Sequence, residues 1–134
     1  MEITIRAENL SKAYGGINAV DHVSFSVRKG EVMGLLGANG AGKSTTLECL
    51  LGTRKQDSGT VSVLGLDPRL NRKTLFERVG VQFQEAAYQD KITVAELCTV
   101  TQALYKTASD YHGLLSRFGL SDRLKSPVGE LSGG

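Results

Sequence analysis

Gly37-Ala38-Asn39-Gly40-Ala41-Gly42-Lys43-Ser44 is the stretch on which the fold turns. It matches the phosphate-loop pattern G-x-x-x-x-G-K-[ST] without exception, and its surroundings suit it. The apolar run Val32-Met33-Gly34-Leu35-Leu36 precedes it, and a helical pattern from Lys43 to Leu51 follows, with Gly52 placed to end the helix. Glycines let successive backbone N–H groups turn inward around a phosphate without side-chain obstruction. A helix starting near Lys43 aims the positive end of its dipole at the same anion. Lys43 reaches the β- and γ-phosphates as a point charge, the Ser44 hydroxyl can ligate Mg²⁺, and Thr45 is counted with the same loop. Strand, loop and helix in that order imply an α/β chain of the P-loop NTPase class. The loop alone selects neither nucleotide nor reaction, although no Asn-Lys-x-Asp segment for reading guanine is present.

Outward from the loop, the N-terminal half has the texture of strands. Ile3, Ile5 and Ala7 alternate with Glu2, Thr4 and Arg6, and Val23, Phe25 and Val27 alternate with Ser24, Ser26 and Arg28. Val32 to Leu36 is a short continuous apolar run, as expected of a strand covered on both faces. Thr60 to Leu64 and Val79 to Phe83 predict two further strands flanking a polar stretch near Asn71 to Arg78. After Gln84 the texture becomes helical. Thr93-Val94-Ala95-Glu96 is a capping-box pattern, and Val94, Leu97, Cys98, Thr101, Leu104 and Tyr105 form one helical face. A second helix is expected over Asp110 to Phe118, closed by Gly119, and Ser121 is placed to cap a third before Pro127. The division is a β-rich nucleotide-binding core, 1–85, followed by a helical part, 86–134.

Composition narrows the function classes. The charge of +2, from 16 Lys+Arg against 14 Asp+Glu, argues against nucleic acid as the main partner. No apolar stretch approaches the ~20 residues needed to span a bilayer, and the first residues lack the apolar core of a secretory signal. Cys49 and Cys98 are isolated, without metal-ligand spacing, and are expected to be buried small hydrophobes. Glycine contributes 16 of 134 residues. That is well above the ~7% usual in proteins, and the excess lies in the motifs.

Three further segments resemble the nucleotide-binding subunit of ATP-binding cassette (ABC) transporters. Tyr14 lies in Leu10-Ser11-Lys12-Ala13-Tyr14-Gly15-Gly16, where that family places an aromatic residue that stacks on adenine. Arg78-Val79-Gly80-Val81-Gln82-Phe83-Gln84 is similar to the strand leading into the family's Q-loop. The resemblance implies that Gln84 touches Mg²⁺ and the attacking water and relays contact with the membrane subunit, a task suited to a neutral amide. Leu131-Ser132-Gly133-Gly134 is similar to the start of the family's signature, which implies that Ser132, Gly133 and Gly134 bind the γ-phosphate held by an opposite subunit. The expected cofactors are therefore ATP and Mg²⁺. The expected partners are transmembrane permease subunits and a second nucleotide-binding subunit in an ATP-sandwich dimer. The expected location is the cytoplasmic face of the cell membrane, held peripherally through the permease. A soluble ABC-type ATPase acting on ribosomes or DNA is the alternative, disfavoured by the compact, uncoiled segment from Gln84 to Leu131.

The family's acidic strand, its water-activating glutamate and its switch histidine have no counterpart before Gly134. Asp57, Asp67 and Glu85 stand in turn or loop contexts and are expected to be solvated charges. The resemblance thus implies an N-terminal, truncated fragment of an ATP hydrolase, inactive alone. Cargo contacts belong, by the same resemblance, to the membrane subunit.

Overall fold

The computed structural model describes residues 2–82 and 88–131. These fall into two compact units, Met1–Gly80 and Val81–Gly134. In the first, β1 (Ile3–Tyr14), β2 (Ile17–Arg28) and β3 (Ser58–Val63) form an antiparallel sheet in the order β2-β1-β3. The Gly15-Gly16 turn joins β1 to β2, setting Tyr14 opposite Ile17 and Ala7 opposite Phe25. The predicted alternation in β2 is seen directly: Val23, Phe25 and Val27 are shielded while Ser24, Ser26 and Arg28 are exposed.

Ala7 and Leu10, three residues apart, would face opposite sides of a regular strand. Both are buried, because the ladder slips between them at Asn9, whose φ is 49°. The bulge is held by the Asn9 N–H, which donates to Ser24 Oγ at 2.8 Å. Helix α1 (Lys43–Leu50) closes the core over this sheet, burying Thr46, Cys49 and Leu50 at i, i+3 and i+4 spacing. Ala7, Leu10, Val20, Cys49, Leu50 and Val61 form one cluster, with Ile5, Val23 and Phe25 packed against it.

The end of α1 follows its sequence. Gly52 (φ 69°) donates to Cys49 O at 3.1 Å and Thr53 donates to Glu48 O at 3.0 Å, the paired bonds of a Schellman motif. A Cβ on Gly52 would lie 2.6 Å from the carbonyl oxygen of Pro68, so no other residue fits here. A short helix, α2 (Arg72–Phe76), occupies the polar stretch for which no element is predicted.

Two expected strands are not strands. Residues 31–38 and 79–82 lie in no ladder, and Val32 and Leu36 are 97% and 93% exposed. Phe83 lies outside the described residues. An apolar run becomes a strand only when a neighbour takes up its N–H and C=O groups, and among the described residues none does.

The second unit contains α3 (Val94–Ala103), α4 (Tyr111–Arg117) and two short 3₁₀ turns, Ser121–Arg123 and Val128–Glu130. The capping box is complete: Thr93 Oγ1 accepts from Glu96 N while Glu96 Oε2 accepts from Thr93 N at 2.9 Å. The remaining donors of the first turn are met by a returning segment, with Val94 N donating to Ser126 O and Ala95 N to Leu124 O. The two carboxylate bonds from Thr93 hold the Glu96 carboxyl below its ordinary range. Along the predicted apolar face only Val94 is fully buried, and Tyr105 at its far end is half-buried. Leu97 and Cys98 are half-buried too, but Leu104, beyond the helix end, is 74% exposed. Cys98 thus differs from the expectation of full burial, whereas Cys49 meets it.

Candidate functional site

Gly42 decides where the loop sits. Its φ of 84° makes it a left-handed N-cap for α1, and a Cβ there would meet the carbonyl oxygen of Ala19 at 2.0 Å. Only glycine allows the start of α1 to press against β2 in this way. Ala41 N donates to Ala38 O at 3.1 Å, closing the turn, and Thr46 donates through both N and Oγ1 to Gly42 O at 2.9 Å. The first turn of α1 has neither a side-chain cap nor an acidic residue.

Lys43 Nζ donates to Gly37 O and Ala38 O, each at 2.7 Å, so its ammonium bridges the start of the loop. A cation in the first turn of a helix opposes the dipole and is unfavourable for the helix itself. Uncapped N–H groups, the dipole's positive end and an anchored ammonium together form a site for an anion. Ammonium has three N–H donors, and among the described residues two are engaged by the loop carbonyls. Ser44 lies exposed in the same turn. No group of three or more His, Cys, Asp or Glu is gathered among the described residues. The exposed Ser44 hydroxyl is a hard oxygen donor of the kind Mg²⁺ takes beside phosphate oxygens.

Tyr14 ends β1 with 42% of its surface exposed, which leaves ring area open for stacking. Two cations approach it: Lys12 Nζ at 5.6 Å and Arg54 Cζ at 5.5 Å from the ring centroid. Lys12 Nζ is bonded to Asp57 Oδ1 at 2.6 Å, and Arg54 Nε to Glu48 Oε2 at 2.8 Å. The Glu48 hydrogen bond holds the Arg54 guanidinium further above its ordinary pKa. Asp57 is therefore more than a solvated charge, and Asp67 too is engaged, accepting from Arg69 N at 2.8 Å in an Asx turn. Sequence reasoning missed Lys12, Glu48, Arg54 and Asp57, which lie up to 45 positions apart and share no motif. Gln84, Ser132, Gly133 and Gly134 lie outside the described residues.

Residues 20–134 match the ABC transporter family. The chain belongs to that family. Its relatives include the linearmycin resistance ATP-binding protein LnrL of Bacillus subtilis (strain 168), 36% identical over 97% of this chain and 43% of LnrL. The bacitracin transport ATP-binding protein BcrA of Bacillus licheniformis is 33% identical over 98% of this chain and 44% of BcrA. The chain thus spans less than half the length of these two relatives. A solved ATP-binding subunit of an ABC transporter superposes with a TM-score of 0.83 at 27% identity, covering 96% of this chain and 56% of that one. A nucleotide-free ABC transporter cassette gives 0.75 at 28%, covering 97% and 59%. The fold is that of part of an ABC ATPase domain, a P-loop NTPase, as the family resemblance implies. Among the described residues no helix is long and apolar enough to cross a membrane.

Proposed function

We propose that this chain is the ATP-binding part of an ABC transporter's energy-coupling subunit. The observation that carries the reading is Lys43, anchored by two loop carbonyls at the uncapped, acid-free start of α1. In this role residues 37–45 wrap the phosphates of ATP, Tyr14 stacks on the base, and Ser44 with Gln84 holds Mg²⁺. Bound Mg²⁺ offsets phosphate charge and steadies the geometry for phosphoryl transfer. The partition into a core, 1–85, and a helical part, 86–134, belongs to the same proposal. So does the contact of Ser132, Gly133 and Gly134 with nucleotide on a second subunit. The names of LnrL and BcrA, a resistance and a transport ATP-binding protein, support transmembrane permease subunits as partners and a place on the cytoplasmic face of the membrane. The ribosome- or DNA-acting alternative finds no support among the relatives.

Calorimetric titration of the 134-residue chain with Mg-ATP tests the reading. Charge-assisted hydrogen bonds contribute about 1.5–3 kcal/mol, so Lys43→Ala is expected to weaken binding by roughly tenfold or more. Equal affinity in both proteins would overturn the assignment.

A further inference from the structure

The Tyr14 ring is linked through the Arg54 side chain to the helix that begins at the phosphate loop. Arg54 lies 5.5 Å from the ring centroid, and its Nε donates to Glu48 on α1 at 2.8 Å. Lys12 approaches the same ring at 5.6 Å and is held from behind by Asp57. A guanidinium near an aromatic ring is attracted to its electron-rich face, and a planar, carboxylate-anchored Arg loses little freedom in staying there. The route Tyr14–Arg54–Glu48 therefore connects an exposed ring to α1 without passing through the loop itself.

We propose that Arg54 is a positioning residue for the base of the bound nucleotide. Acting through Tyr14, it sets the ring at a fixed offset from α1, so that a purine stacked on the ring delivers its triphosphate to residues 37–44. Preorganising the ring lowers the ordering cost of binding. The inference rests on the reading of Tyr14 as the base platform and Gly37–Ser44 as the phosphate site. It adds a determinant of affinity that acts on the base and leaves the phosphates alone.

Two ligands separate these contributions: Mg-ATP, which carries a base, and magnesium tripolyphosphate, which does not. Calorimetry on the 134-residue chain is expected to show Arg54→Ala weakening ATP roughly two- to fivefold with tripolyphosphate unchanged. Glu48→Gln should weaken ATP in the same sense, and the double variant should be no worse than Arg54→Ala alone. Arg54→Lys keeps the charge but not the planar fork and should recover part of the loss. It carries the comparison if Arg54→Ala fails to fold. Unchanged or tighter ATP binding in Arg54→Ala, or an equal loss for tripolyphosphate, would overturn the proposal while Lys43→Ala still weakened both ligands. If Lys43→Ala weakened neither, the phosphate-site reading would fail first, and this inference with it.

Discussion

Asp57 takes the Lys12 ammonium at 2.6 Å, joining the segment after α1 to the last residues of β1 across 45 positions of chain. Its other oxygen accepts the Ala13 N–H at 2.8 Å, so one carboxylate fastens both a side chain and the strand backbone beside Tyr14. Charge-assisted bonds of this kind are shorter and stronger than neutral ones. Lys12 is the better shielded partner, its side chain 16% exposed against 49% for Asp57.

The Asp57 pair predicts a pH dependence. The Lys12 side chain and then the Ala13 N–H hold the Asp57 carboxyl below its ordinary pKa. A carboxylate lowered on folding stabilises the protein above its unfolded pKa, about 4, and that contribution is lost as pH falls through the folded value. Thermal unfolding followed by circular dichroism should show Asp57→Asn less stable than wild type at neutral pH. The gap should close as the pH drops below the carboxylate range. A gap that stayed constant from neutral to acid pH would contradict this.

Gly42 predicts a steric effect at the loop. Alanine there would be forced into the left-handed region, costing about 1–2 kcal/mol before any contact is considered. Its Cβ would also collide with the Ala19 carbonyl. Gly42→Ala should therefore lose more than that in denaturant titrations and lose Mg-ATP binding with it. At Gly34 an added Cβ meets nothing within 4 Å and the backbone is not left-handed, so Gly34→Ala should stay within about 0.5 kcal/mol of wild type.

Thr93 caps α3 with its hydroxyl while Glu96 returns the bond. Thr93→Ala should destabilise the helical unit by about 1 kcal/mol. Hydrogen exchange should report faster exchange at the Glu96 amide, which loses its acceptor. Protection equal to wild type at that amide would show that the cap contributes nothing.

The two cysteines should react in a set order. Cys49 has no exposed surface, and burial pushes its thiol pKa up, which disfavours the reactive thiolate. Cys98, half-buried on α3, should be modified first by an aromatic disulfide reagent, with Cys49 reacting only after denaturant is added. Cys98→Ser should remove the early phase, and an early phase that survived would reverse the assignment.

The features legible in the sequence are those written in residue type at short spacing. The phosphate loop, the Gly52 stop, the Thr93 capping box and the alternation of β2 all rest on side-chain type at short spacing, where local geometry leaves few alternatives. Tertiary packing decided the rest. Val32–Leu36 has the composition of a buried strand, yet strand formation depends on a neighbour's N–H and C=O groups, and composition cannot announce whether those arrive. The burial of both Ala7 and Leu10 depended likewise on a bulge held by Ser24 from another strand. The setting of Tyr14 shows the same limit at the candidate site. An aromatic residue at that place was readable, but its neighbours Lys12, Arg54, Glu48 and Asp57 are ordinary surface charges in one dimension. They become a cluster only when α1 and the segment after it fold back against the end of β1. Electrostatic and cation–π attractions act over a few ångströms of space, and chain separation leaves no trace of them in local pattern.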